Sequence, residues 1–236
     1  MRPYCLLCHH CYQPRVSWSD LLTLKKGDCL CATCRRSFSL IDSDICSDCG
    51  RPLDHLDHSY RDGDVCNDCL RWQNDNEWKG VLAKNRSVYV YDDVMKEVIS
   101  RWKFRGDYAI IEAFRHDVCR VFSHHFSSES VLVPIPLSRE RLYERGFNQA
   151  KALAELLSLP ILDILERDHL EKQSKKSRHE RLQMENVFRL RMSLPLEKPL
   201  VIIDDIYTTG ATVRHAAKRL RQAGATDVSS FTLARA

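Results

Sequence analysis

The residues best placed to do chemistry in this chain lie between Val201 and Thr212, which read VIIDDIYTTGAT. Four apolar residues, Leu200 to Ile203, predict a short buried strand of the kind found in parallel sheets. Asp204 and Asp205 follow at its carboxyl end, and the small-residue loop Thr208-Thr209-Gly210-Ala211-Thr212 then opens into a helix. Val213, Ala216, Ala217 and Leu220 recur at i, i+3, i+4 and i+7, one apolar helix face, and Gly224 stands where a left-handed C-cap is wanted. Val228 to Leu233 reads as the next strand. A helix start presents backbone N–H groups without partners and a dipole that favours negative charge, so the loop suits a phosphate. Gly210 allows close backbone approach, and the hydroxyls of Thr208, Thr209 and Thr212 add donors. Two carboxylates beside a phosphate need a task of their own, either a divalent cation or sugar hydroxyls. No Lys follows the glycine as in a P-loop, and the three spaced glycines of a dinucleotide site are missing. The plain alternative is a strand–turn–helix with a threonine N-cap and surface aspartates.

A second chemistry lies at the other end of the chain. Ten of eleven cysteines precede Trp72, and eight of them form C-x-x-C pairs: Cys5/Cys8, Cys31/Cys34, Cys46/Cys49 and Cys66/Cys69. Each pair can put two thiolates on one tight turn, and two such turns complete a tetrahedral zinc site. Spacers of 22 residues between the first two pairs and 16 between the last two suit zinc ribbons paired in sequence. An interleaved cross-brace is the alternative arrangement. Cys11 and Cys29 compete for the first site, as Cys8/Cys11 and Cys29/Cys31. Four cysteines per site leave no open coordination position, so two structural Zn²⁺ ions are expected. A structural zinc can contribute roughly 10–16 kcal/mol, enough to hold a small polar segment that lacks a large core. Redox-active pairs are the competing reading, but that chemistry usually needs one pair near a βαβ unit.

The rest of the chain must position these groups. Its 236 residues allow one ordinary domain plus a small one, and 44% hydrophobic with 29% charged residues is a globular composition. The net charge of +4 is uneven: residues 1–80 hold 10 Lys+Arg against 12 Asp+Glu, the remainder 26 against 20. No run approaches the ~18 apolar residues of a membrane span, and the N-terminus lacks an apolar signal core. A cytoplasmic protein with no membrane span is therefore expected. Residues 73–87 read as a linker between a Cys-rich module at 1–72 and an α/β domain at 88–236. Val88 to Tyr91 predicts a strand. From Asp92, an N-cap, a helix carries Val94, Val98, Ile99 and Trp102 and ends in the basic turn Lys103-Phe104-Arg105-Gly106-Asp107. One further helix carries Ile110, Ile111, Phe114, Val118, Val121 and Phe122, with Cys119 a small core residue beside them.

Val131 to Pro136 predicts a strand that runs into a loop holding Arg139, Arg141 and Arg145, and Gly146 and Asn148 mark the next helix start. Guanidinium forks suit phosphate oxygens, and positive charge is unfavourable at a helix N-terminus, so the three arginines suggest a bound anion. A solvated arginine cluster is the alternative. Residues 166–191 hold 8 Lys+Arg and 5 Asp+Glu, including Lys172, Gln173, Lys175, Lys176, Arg178 and Arg181. A polar stretch of that length is either a functional loop or a solvated hairpin.

The stretch Val201–Thr212 resembles the PRPP-binding motif of type I phosphoribosyltransferases: an apolar strand, two acids, then T-T-G-x-T. The resemblance implies that Asp204 and Asp205 hold the ribose 2- and 3-hydroxyls of PRPP and that Thr208 to Thr212 wrap its 5-phosphate. Nearly the whole chain is similar to the ComF/GntX family. The shared features are the cysteine knuckles, the Lys103–Gly106 turn, V-P-x-P-L…R…R-G-F-N-Q at Val133–Gln149, and a loop drawing on Arg167, Gln173, Arg178 or Arg181, Asn186 and Phe188. Glu171 and Val187 depart from the family's usual Thr and Gly there. Membership implies a phosphoribosyltransferase-type parallel sheet flanked by helices and preceded by a double zinc ribbon. It also implies Mg²⁺ with PRPP, and a role in natural competence, bringing transforming DNA into the cytoplasm with a helicase-like partner. Lys103, Arg105, Arg139, Arg141 and Arg145 are the candidates for the pyrophosphate end. Two readings stay open: an enzyme that transfers phosphoribose to an acceptor, and a binding protein that keeps the PRPP site for DNA uptake and contacts single-stranded DNA through its basic surplus and aromatic residues.

Overall fold

The computed structural model describes residues 3–13, 29–54, 56–104, 107–167, 188–191 and 198–236. A four-stranded parallel sheet lies at its centre. The strands are β3 (Asn85–Val90), β4 (Val131–Pro134), β7 (Leu200–Tyr207) and β8 (Val228–Arg235), in the spatial order β3-β8-β7-β4. The fold is thus α/β, as expected. Two short antiparallel pairs lie outside this sheet: β1 (Arg61–Asp62) with β2 (Val65–Cys66), and β5 (Leu165–Arg167) with β6 (Phe188–Leu190).

Strand alternation assigns the two faces. Leu200 and Ile202 of β7 join a core with Val133, Val213, Ala216, Ala217 and Leu220. Val201 and Ile203 join another with Val88, Ile99, Trp102, Phe114, Val118 and Phe231. The first face is covered by α7 (Ala211–Gln222). The second is covered by α3 (Asp93–Phe104), a 3-10 segment (Tyr108–Phe114), α4 (Arg115–His125) and α6 (Gln149–Glu155). Helices on both faces are what a parallel sheet requires, because neither face can be left to water.

Four local expectations are revised. The edge strand begins at Asn85, three residues before Val88, and Trp78 and Leu82 are buried, so the stretch 73–87 packs against its neighbours. On α3 the Asp92 side chain caps Met95 N–H at 2.9 Å, and Met95 faces the core while Val94 is exposed. The apolar run from Ile110 to Phe122 divides into the 3-10 turn and α4. The arginine segment is a helix, α5 (Arg139–Arg145), capped by Ser138 and ended by left-handed Gly146 at φ 76°. Arg105, Gly106, Lys172, Gln173, Lys175, Lys176, Arg178, Arg181 and Asn186 lie outside the described residues.

Candidate functional site

The phosphate-type loop forms where β7 passes into α7. β7 is longer than expected: pairing with β4 stops at Pro134–Ile203, while pairing with β8 continues to Tyr207–Arg235. Asp204 and Asp205 therefore sit inside the strand but beyond the last residue of β4 that pairs with it, partly buried at the carboxyl end of the sheet. Open α/β sheets bind ligands at that end. The N-cap of α7 is Gly210, not a threonine, with φ 79° and no side-chain cap bond. A Cβ there would lie 2.1 Å from the Tyr207 hydroxyl oxygen, and Tyr207 is itself buried. Glycine is needed at this point for both its dihedral and its lack of a side chain. The N-cap residue itself consequently offers no side-chain acceptor, and Thr208 and Thr212 on either side of it are exposed. Thr209 Oγ1 accepts weakly from Ala211 N–H at 3.4 Å.

Cations gather around the acids. Lys103, on the last turn of α3, pairs with Asp205 Oδ2, both side chains being 15% exposed. Burial of its carboxyl and the adjacent Asp205 charge push Asp204 up to about 8, against the opposing Lys103 charge. Burial holds Arg145 below its usual range, with the Asp205 carboxylate acting against the shift and Arg141 adding to it. Arg145 also donates to Gln149 Oε1 at 2.8 Å and stacks over Phe104, 5.5 Å from the ring centroid. Arg167, at the end of β5, is lowered by burial and by Arg141, while Asp204 opposes the shift. Two guanidiniums lowered by burial and by a neighbouring cation form a locus that an anion would relieve. Of the expected pyrophosphate group, the structure brings Lys103 and Arg145 to this edge, with Arg141 exposed but close enough for its charge to act on Arg145 and Arg167, and Arg139 exposed at the start of α5. Arg167 joins them from a strand distant in sequence; its signal was its place at the head of the polar stretch.

The cysteines form two groups, Cys5/Cys8/Cys31/Cys34 and Cys46/Cys49/Cys66/Cys69, with the four sulfurs of each group within 4.8 Å of one another. Pairing follows sequence order, and Cys11 is exposed outside the first group. The groups are built alike. In each, the first pair sits on a turn closed by an antiparallel bridge, Tyr4–Cys11 or Ile45–Pro52, and followed by a left-handed residue, His9 at φ 58° or Gly50 at φ 70°. The second pair lies at a helix start, with Cys31 at the N-cap position of α1 (Ala32–Arg36) and Cys66 at that of α2 (Asn67–Asn74). The Cys8–Cys31 and Cys49–Cys66 sulfurs are 3.8 and 3.7 Å apart. A tetrahedron of ~2.3 Å Zn–S bonds has edges of about 3.8 Å, so both sets fit zinc. Backbone N–H groups of Cys34 and Cys66 donate to Cys31 and Cys46 sulfur at 3.4 Å, the outer-shell support that orients thiolate ligands. In the second group hydrogen bonds from Cys46, Cys66 and Cys69 draw the Cys49 thiol down, and the reciprocal bonds push Cys66 and Cys69 up. In the first, burial raises Cys5, but the backbone N–H groups of Cys8, Cys31 and Leu7 outweigh it and bring it to about 6.

Taken together, these features define a class: an α/β protein with a glycine turn and two acids at the carboxyl end of a parallel sheet, joined to two four-cysteine metal-type modules. This chain is similar to competence protein ComFC of Bacillus subtilis (strain 168), 45% identical over 233 residues, which are 98% of this chain and 94% of that protein. ComFC of Streptococcus pneumoniae is 35% identical over 98% of this chain and 99% of its own length. The chain belongs to the ComFC competence-protein family. No family model matches it. Among solved structures, a purine phosphoribosyltransferase from Pyrococcus horikoshii Ot3 aligns with 57% of this chain and 83% of its own, at 13% identity and a TM-score of 0.25. Among the described residues no helix is long and apolar enough to cross a membrane.

Proposed function

We propose that this protein binds PRPP at the carboxyl edge of β7 and β4 and acts in natural competence, helping transforming DNA reach the cytoplasm. The observation that carries the ligand is the Gly210 turn: a three-turn α-helix whose N-cap residue has no side chain to cap it, next to two acids placed beyond the end of a neighbouring strand. Thr208–Thr212 would receive the 5-phosphate, Asp204 and Asp205 the ribose hydroxyls, and Lys103, Arg105, Arg141 and Arg145 the pyrophosphate. Hard carboxylate and phosphate oxygens suit Mg²⁺, which, bound with PRPP, would supply screening of the clustered phosphate charge. The competence role follows from the ComFC relatives and implies a cytoplasmic site of action. A helicase-like partner and single-stranded DNA are the expected associates.

The cation rim favours a second reading, turnover. Lys103, Arg141, Arg145 and Arg167 converge where negative charge would build on a departing pyrophosphate, and fixed cations there would stabilise that charge without reorganising. Isothermal titration of PRPP with and without Mg²⁺, on wild type and on Asp204→Asn/Asp205→Asn, tests the site. Wild type should bind and the double variant should not; a wild type without affinity for PRPP overturns the assignment. Pyrophosphate release with a panel of bases selects the enzyme. Binding without release, joined to a salt-sensitive shift of single-stranded DNA, selects the uptake factor.

A further inference from the structure

The second four-cysteine module reaches the phosphate loop through one side chain. Trp72 lies on α2, three residues after Cys69, and its indole N–H donates to the backbone carbonyl of Thr209 at 3.2 Å. It is fixed from other sides as well. The Arg214 guanidinium of α7 stacks over its ring at 4.8 Å, and Trp78 meets it edge-on at 5.5 Å. Trp78 in turn packs against His215 at 4.7 Å. Arg214 is 4% exposed and its Nε has no hydrogen-bond partner among the described residues, so its contact with the indole face is a buried one.

The consequence for the loop follows from peptide geometry. A trans peptide is planar, with C=O and N–H pointing in opposite directions. Holding the Thr209 carbonyl toward Trp72 therefore turns the Gly210 N–H away from the module, toward the side on which a phosphate would lie. Gly210 has no side chain through which this peptide could be held, and its φ of 79° is one that glycine adopts without strain. The four cysteines of this module share one apolar cluster with Tyr207, Val213 and Ala216, so the frame carrying Trp72 is continuous with the sheet and with α7. The first cysteine group packs elsewhere, against Ala113 and, through the Leu7 carbonyl, against Arg101.

We infer that Trp72 is a positioning residue for the phosphate loop, and that the second four-cysteine module is through it a working part of the ligand site. This rests on the PRPP reading above. The experiment is titration of ribose 5-phosphate and of inorganic pyrophosphate, separately, into wild type and Trp72→Phe. Phenylalanine keeps a ring for Arg214 and Trp78 while removing the N–H together with the second ring of the indole, so the binding of the two ligands is compared on the same folded variant. Affinity for ribose 5-phosphate should fall about three- to tenfold, the effect of one hydrogen bond, with pyrophosphate affinity unchanged and a modest drop in thermal midpoint from the smaller ring. A folded Trp72→Phe that binds ribose 5-phosphate as wild type does, or that loses both ligands equally, overturns the inference. The intact protein provides a second measurement, since ribose 5-phosphate, and not pyrophosphate, should shift its tryptophan emission; unchanged emission also overturns it. Wild type that binds neither PRPP nor ribose 5-phosphate overturns the PRPP reading and this one together, whereas binding with an indifferent variant overturns this one alone.

Discussion

Arg235 Nη2 lies 3.5 Å from the sulfur of Cys49, so the last strand of the sheet ends against a thiol of the second metal-type group. Both residues are buried, and the guanidinium also stacks over Tyr207 at 5.0 Å. The two cysteine groups should accordingly differ in what they stabilise. Metal analysis should find about two zinc ions per chain, one for each tetrahedral set. Cys49→Ser should lower the thermal midpoint by roughly 10 °C or more, because it loses a metal ligand and leaves a buried cation without its thiolate. Cys8→Ser, in a half-buried group outside the sheet's core, should cost less. Equal losses from the two variants would show that the contact with Arg235 contributes nothing to the sheet.

Gly210→Ala should combine two penalties. The φ of 79° disfavours any Cβ, and the new methyl would overlap the Tyr207 ring, which the surrounding core prevents from moving aside. A loss of about 2–4 kcal/mol in stability is expected from backbone strain plus overpacking. PRPP affinity should fall further than stability does, since the altered turn redirects the N–H groups of the helix start. Chemical denaturation and titration on one preparation separate the two effects.

The stretch around Gly210 was legible in the sequence because its determinants are local: an apolar strand, two acids, a glycine and a helical stripe follow one another without interruption. The cysteine groups were legible for the same reason, since each C-x-x-C pair is its own turn and the pairs combine in order. Legibility ended where partners are remote. Trp72 and Thr209 are 137 positions apart, and no periodicity in either segment points to the other. Arg167 reaches the acids from β5, which pairs with a strand more than twenty positions later. The helix of Arg139–Arg145 has only seven residues and none of them is buried, so it lacks the apolar stripe by which helices are read. The length of β7 was also hidden, because the extension past Ile203 carries charge where a buried strand is expected to be apolar, and pairing with β8 holds it in place.

The pH dependence of the ligand-free protein should bear the mark of Asp204. Its carboxyl is raised to about 8 in the folded state, from an ordinary value of 3.8. Between these values the folded state holds a proton that the unfolded state has lost, so stability falls as pH rises from about 4 to about 8 and levels off above that. Asp204→Asn removes the titration and should flatten this part of the profile while raising stability near pH 8. Thermal midpoints of the two proteins at half-unit intervals check the sign; parallel profiles would place the pH dependence elsewhere.

Arg145 and Arg167 should act on the pyrophosphate end alone. Each is lowered by burial and by the neighbouring Arg141, so each already bears the cost of desolvation and repulsion that a bound anion would offset. Replacing either by glutamine should therefore weaken inorganic pyrophosphate by about tenfold or more, the range for hydrogen bonds to charged groups, and leave ribose 5-phosphate unaffected. The same change at exposed Arg139 should have a much smaller effect that disappears in moderate salt, because charges separated through solvent are screened within about 10 Å. The apo proteins supply an independent check: removing one of three crowded guanidiniums relieves repulsion, so Arg167→Gln should be at least as stable as wild type without ligand and less stabilised than wild type when pyrophosphate is added. A variant that loses stability but keeps its pyrophosphate affinity would assign Arg167 to packing against Phe188, whose ring it approaches at 5.9 Å, rather than to the ligand.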